Sequence, residues 1–378
     1  MALWHILTKA LLLSVLMLLQ AVMALSAHAQ EWIYTVRPGD NPWSISDNYL
    51  IDMSYWPKLQ ERNGISKPNQ IPPGTRLNIP IEWLKKQIRP ITVRVLDARG
   101  KVEVTLANGR TTPLDAETTL QAGDSIRTGP QSSVLLKFYD ASELLLQSNS
   151  TLLLKTVSVD ESSNLVDAQL NLQSGRLETK VTHRDDPRVR YEIRTPSAVA
   201  AVRGTEFRMA ADSLTQTAYT EVTNGAVGVN AHGRISTLPE KFGSVSKPGA
   251  GRLDVVALLP PPDISALPEN ASDLRFSWQA IPGAKAYRIQ IMAYQHKRFE
   301  LLVFNNGRLI HSEKVGGGEQ VLALIYEEVL QSPEFSGPKL PNDNYLLRVR
   351  GIDDQGLEGL NGEHRFTLFS SSNVAYLQ

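Results

Sequence analysis

Residue types that could carry covalent or metal chemistry are sparse in this chain. It has no cysteine and seven histidines, at His5, His28, His183, His232, His296, His311 and His364. Without a thiol there is no disulfide, thiolate metal site, cysteine nucleophile or cysteine for lipid attachment. A zinc hydrolase gathers several His and carboxylate ligands on one ion, but two of these histidines precede residue 30 and the others follow no ligand spacing. There is no Gly-x-Ser-x-Gly elbow and no phosphate-binding glycine loop. A glycosidase needs two positioned carboxylates. With 39 acidic residues spread through the chain, spacing alone neither assembles nor removes such a pair. The chain is therefore read as a non-enzyme that needs no metal or cofactor.

The elements that would have to position a site are more legible. A chain of 378 residues is too long for one ordinary domain. Its 42% hydrophobic content suffices for several cores, and 39 basic residues balance 39 acidic ones without a basic block. Nucleic acid demands clustered Lys and Arg, so no nucleic-acid partner is expected. Lys9, the apolar run Ala10 to Leu25 and Ala27-His28-Ala29 read as a signal peptide, residues 1–29, cleaved after Ala29. The apolar run is shorter than the roughly 20 residues that span a bilayer, so no stable membrane span is expected after cleavage. Composition then divides the chain into 31–85, rich in aromatics and prolines, and 91–256, rich in Val, Leu, Thr and Ser. A proline-rich linker at 257–263, read as a stiff spacer, precedes the last segment, 264–369, and a loose tail follows.

In the first segment, Ile33 to Arg37 alternates as a strand should, and Pro38-Gly39 turns the chain. Asp40 is expected to cap a helix that runs through Tyr49, with Pro42 tolerated in its first turn. A second helix is expected over Ser54 to Arg62, ended by Asn63-Gly64, and a closing strand over Leu77-Asn78-Ile79. The order is strand, helix, helix, strand. Trp43 is expected in the core, as the largest apolar residue of a small domain; Tyr55 and Trp56 fit a core or a groove equally well.

These stretches resemble the LysM family: Tyr34-Thr35-Val36-Arg37-Pro38-Gly39-Asp40, Trp43-Ser44-Ile45-Ser46, Asn63-Gly64-Ile65 and Ile71-Pro72-Pro73-Gly74-Thr75-Arg76-Leu77-Asn78-Ile79-Pro80. Asn41-Pro42 and a slightly long Leu50–Met53 connection depart from the family pattern. The resemblance implies binding to N-acetylglucosamine-containing glycan, here peptidoglycan. Its groove, carried onto this chain, would lie between Gly39, Asp40, Asn41 and Pro42 on one side and Asn63, Gly64, Ile65, Ile71 and Pro72 on the other. Gly and Pro loops would offer backbone groups to an acetamide and a rigid apolar floor to its methyl and the sugar face.

Residues 91–256 read as many short strands, including Val102 to Val104 before an Asn108-Gly109 turn, Ser133 to Phe138, and Glu143 to Gln147. Leu170 to Leu172 and Arg176 to Glu178 are expected as two strands about a Ser174-Gly175 turn. The run Ile193 to Phe207, with Leu120 to Gly129 before it and Val222 to Val229 after it, resembles the FecR family of periplasmic domains. That resemblance implies a solenoid-like all-β fold and an envelope interaction or sensing role. The few residues before the apolar run could not form a sigma-binding part, so a direct anti-sigma role is not expected. Arg203 beside Gly204 invites an anion site. Ala198 to Val202 fits a tightly packed β layer better, with Gly204 for a bend and Glu206 able to pair with Arg203.

In the last segment, Leu274 to Trp278 and Tyr345 to Asp353 alternate as strands around aromatic residues. They resemble a fibronectin type III sandwich, with Tyr345 as its tyrosine corner and residues 295–337, which contain Gly316-Gly317-Gly318, as an inserted loop or hairpin. The fold class expected is multidomain and mostly β: a small βααβ domain, a solenoid-like all-β domain and a β-sandwich. The function expected is a wall-bound periplasmic scaffold with an envelope protein partner. An envelope sensor is the alternative, and a peptidoglycan hydrolase the least favoured.

Overall fold

The computed structural model describes the chain except for residues 1–30, 37–39, 69–70, 73–74, 86–87, 161–164, 184–189, 203, 232–233, 250–252, 306–307 and 370–378. The expected signal peptide and tail thus lie outside the described residues. The chain divides into two compact units that part between Gln87 and Ile88.

The small unit is βααβ, as its turn signals require. Strand β1 (Glu31–Thr35) pairs antiparallel with β2 (Arg76–Pro80), with Tyr34 opposite Leu77. Between them lie α1 (Pro42–Tyr49) and α2 (Trp56–Arg62), the second entered through a 3-10 turn at Met53–Tyr55. Asn41, not Asp40, caps α1. Its Oδ1 accepts the Ser44 N–H at 2.9 Å, while Ser44 Oγ accepts the Asn41 N–H at 3.0 Å, a reciprocal capping box. Asp40 is taken by another partner, since its carboxylate accepts the Tyr34 hydroxyl at 2.6 Å. Gly64 ends α2 at φ +61°, the left-handed backbone that glycine tolerates. The core is Tyr34, Val36, Ile45, Leu50, Leu59, Ile71, Leu77, Ile79 and Leu84. Trp43, expected there, is only partly buried and belongs to no part of it.

The large unit is β throughout its described residues. Over Ile88 to Ala257 the strands join into a curled, barrel-like sheet around one largely aliphatic core that also holds Phe138, Tyr191 and Phe207. Its central element is a single strand, Leu165–Lys180, where two strands and a turn were expected. Up to Ser174 it pairs with Thr151–Asp160; from Gly175 onward it pairs along one edge with Glu206–Asp212 and, from Leu177, along the other with Glu143–Leu146. Gly175 makes that crossing possible. It stands at φ +89°, and a Cβ there would lie 2.4 Å from Ser150 Cα. The run around Val199–Val202 does form a packed layer, with Ala198, Ala200 and Val202 buried in the core. Glu206 pairs with Lys180 at 2.8 Å; Arg203 lies outside the described residues.

Beyond residue 263 a five-stranded sheet faces a two-stranded one, Arg275–Ser277 with Glu334–Ser336. Their core centres on Phe276, Trp278, Phe335 and Phe366. The Tyr345 hydroxyl donates to the Pro341 carbonyl at 2.7 Å, the bond a tyrosine corner makes. Most of 295–337, expected as an inserted loop or hairpin, falls in a long hairpin, Ala286–Asn305 with Arg308–Leu330. Its third-strand pairing to Asn344–Ile352 stops at Ala293, so the rest projects as a two-stranded arm. The proline segment, read as a spacer, is stitched to its neighbours. Leu258 N–H donates to Lys241 O and Leu360 N–H to Leu259 O, each at 2.9 Å.

Candidate functional site

Two clusters of polar and aromatic side chains stand out, one in each unit. In the small unit, α2 and the loop after it enclose an open hollow of about 350 Å³ lined by Trp56, Pro57, Gln60, Glu61, Gly64, Ile65 and Ser66. Trp56 sits at the first position of α2 because Pro57 suits a helix's first turn, and that places its ring at the hollow's edge. Trp43, in the first turn of α1, packs on Trp56 with ring centroids 5.1 Å apart and planes tilted by 40°. Tyr55 takes the other course, packing on Trp83 at 5.3 Å beside the core.

The residues singled out from the sequence divide accordingly. Gly64 and Ile65 line the hollow. A Cβ on Gly64 would meet nothing within 4 Å, so its backbone faces open space. Asn63 acts as a clamp: its Oδ1 accepts Asn78 N–H at 2.7 Å, and its Nδ2 donates to Leu59 O at 2.9 Å. Asn41 is the cap, Pro42 is buried at its side, and Ile71 belongs to the core. Pro72 is exposed, and its carbonyl accepts the Thr75 hydroxyl at 2.6 Å. Asp40 is bound to Tyr34; burial first, and then this carboxylate, push the Tyr34 phenol well above its usual range. Gly39 lies outside the described residues. Residue type alone does not tell a surface indole from a buried one, so the sequence expects Trp43 in the core and does not decide Trp56. The one signal in the sequence is a tryptophan in the first turn of each of the two helices.

The second cluster fastens the curled sheet to the sandwich. Arg208, Arg350 and Glu358 are fully buried. From the curled sheet, Arg208 donates to the carbonyls of Glu358 at 2.8 Å and Gly359 at 2.7 Å, while its Nε lies 2.8 Å from Glu221. From the sandwich, Arg350 meets Glu358 at 2.7 Å and Glu178 at 3.3 Å. Arg348 reaches Glu178 at 2.9 Å, and Arg176 reaches Glu358 at 3.1 Å. Leu96, Leu135 and Leu145 continue the contact against Met292, Val321, Leu324 and Leu346. Burial alone would raise the Glu178 carboxyl, but Arg348, Arg350 and Arg208 outweigh it and hold it at about 2. Glu358 is likewise held well below the usual carboxylate range against its burial, by Arg176, Arg288, Arg350 and Arg208. Burial, with Arg208 and Arg348 close by, lowers the Arg350 guanidinium to about 10 despite Glu358 and Glu178. A general acid needs a carboxyl raised toward neutrality; these are driven the other way, and Glu358 is also closed from solvent. No group of three or more metal-ligating His, Asp or Glu converges among the described residues.

The fold and the hollow thus define a multidomain β protein that begins with a small βααβ module. Comparison with known families places a LysM domain at residues 34–80 and a FecR protein match at 124–228, inside the curled sheet. An uncharacterized protein of Deinococcus radiodurans is 42% identical over 50 residues, which is 13% of this chain and 20% of that protein. The chain therefore spans only about a fifth of that relative. Two crystal structures of an anti-sigma factor candidate from Parabacteroides distasonis align over 35% of this chain and 59% of theirs, at 14% and 16% identity and a TM-score of 0.30. That likeness is too shallow to carry an argument. LysM and FecR domains serve binding and signalling and fit a cell-envelope location. No helix among the described residues is long and apolar enough to cross a membrane.

Proposed function

We propose that this is a non-catalytic periplasmic protein whose LysM domain holds N-acetylglucosamine-containing glycan, in peptidoglycan, and whose β body meets a protein of the envelope. The observation that carries the reading is the complete βααβ domain over the LysM match, with an open hollow at its second helix–strand loop. In this reading Gly64, Ile65 and Pro72 supply exposed surface on one side of the groove, and the Asp40 to Pro42 stretch belongs to the other. Asn41, Asn63 and Ile71 hold those loops in place. Export follows from residues 1–29 acting as a signal peptide, so the mature chain should start at Gln30, as N-terminal sequencing would show.

Purified protein should co-sediment with peptidoglycan sacculi, and N-acetylglucosamine oligomers should release it. Failure to pellet would remove the glycan reading, and soluble muropeptides in the supernatant would contradict the non-catalytic one. A second reading, an envelope sensor that relays wall or ligand state to a membrane partner, draws support from the FecR match. Crosslinking in cells separates the two: a membrane signalling protein recovered on the β body favours the sensor, and a wall or structural protein favours the scaffold.

A further inference from the structure

We propose that Trp56 is a stacking platform for one sugar ring of the glycan, with Trp43 as the residue that positions it; this rests on the glycan reading above. The core of the small unit is closed by aliphatic residues and Tyr34, without either tryptophan. The two indoles lie partly buried against each other, 5.1 Å apart. A domain of this size gains most by putting its largest apolar rings in the core. Keeping two of them at the surface, one forming the wall of a hollow, is the arrangement of a ligand site.

The chemistry of the hollow fits a pyranose. One face of such a ring is a sheet of C–H groups and its rim is hydroxyl and acetamido. Trp56, Pro57 and Ile65 offer apolar surface to the first, and Gln60, Glu61 and Ser66 offer acceptors and donors to the second. Glu61 and Gln60 lie on the exposed turn of α2 that Trp56 begins, so ring and rim are set by one rigid element. Gly64, whose missing Cβ leaves its space open, lets the ring approach the backbone. Trp43 touches Trp56 from α1, so it fixes the tilt of the platform without being part of the hollow's lining.

The test is titration of the full chain with N-acetylglucosamine oligomers, followed by indole fluorescence and calorimetry, for the wild type and for Trp56→Ala, Trp56→Phe and Trp43→Leu. Circular dichroism and thermal unfolding of each variant confirm that it is folded. The wild type should show an emission shift on binding. Trp56→Ala should weaken binding about tenfold or more, and Trp56→Phe, which keeps a ring, about two- to fourfold. Trp43→Leu should fall between the wild type and Trp56→Ala. If the wild type binds and folded Trp56→Ala binds as tightly, the platform is wrong while the glycan reading stands. If the wild type binds neither oligomers nor sacculi, the glycan reading itself has failed. Should Trp56→Ala not fold, Trp56→Phe and the wild-type emission shift decide the question. Unchanged affinity in Trp56→Phe together with no shift overturns the platform.

Discussion

The small unit and the junction inside the large unit use polar and aromatic side chains in opposite ways. In the small unit the core is aliphatic apart from Tyr34, and Trp56, backed by Trp43, is left at an open hollow with the carboxylate and amide of α2. In the large unit, arginines and glutamates that would be ordinary surface charges are buried at zero or near-zero exposure and paired with one another. The first arrangement leaves interaction capacity for a ligand. The second uses it up within the chain, since buried ions are tolerated only when paired. Strong electrostatics alone therefore does not mark the site; unspent surface does.

The largest expected effect breaks the junction. Glu358→Ala leaves Arg350, Arg288 and Arg176 without their shared partner, and removing one member of a buried ion pair costs about 3–5 kcal/mol. Denaturant unfolding of the large unit should shift by that amount, while oligomer binding by the small unit stays unchanged. Loss of glycan affinity in a folded Glu358→Ala would erase the contrast between the two regions.

Acid should act on the same cluster. A glutamate whose folded value is depressed contributes stability that is present above its unfolded value and lost as the pH falls through the folded one. Glu178 goes from a usual 4.5 to about 2, and Glu358 also lies below its usual range. The large unit should thus hold its stability down to about pH 4.5 and lose it progressively toward pH 2, visible as a falling unfolding midpoint. A flat midpoint across that interval would mean the carboxylates are not held by arginines as described.

Two glycines sharpen the comparison at smaller scale. Gly175→Ala forces a Cβ to 2.4 Å from Ser150 Cα at φ +89°, so backbone must move, at a cost of about 3 kcal/mol or more. Gly64→Ala meets nothing within 4 Å at φ +61°, so only the left-handed strain remains, about 1 kcal/mol. Thermal unfolding of each variant checks the ranking. Equal losses would show that the space over Gly64 is not open.

How much could be read beforehand follows from the same physics. The βααβ order was legible because turns, caps and a closing strand are local. The cap slipped by one residue because Asp40 and Asn41 are equally competent, and the Tyr34 hydroxyl, a tertiary partner, decides between them. The Ser174-Gly175 crossing looked like a turn, since nothing near it in the chain announces Ser150. The junction was illegible. Leu347-Arg348-Val349-Arg350 alternates as a strand with one wet face should, and alternation tells which residues share a face, not whether that face meets water. Arg350 meets Glu178 across more than 170 residues of chain. Within the hollow, Gly64 and Ile65 were found through family resemblance, while the indole pair needed the packing of two helices to become visible.

The most direct measurement is an NMR titration of the full chain with an N-acetylglucosamine tetramer, following backbone amides, the indole N–H groups and the arginine side chains together. Shifts are expected at Gly64, Ile65 and the indoles of Trp56 and Trp43, with Arg208 and Arg350 unmoved. Shifts centred on the large unit, or none at the α2 hollow while the sugar binds, would contradict a glycan site in that hollow.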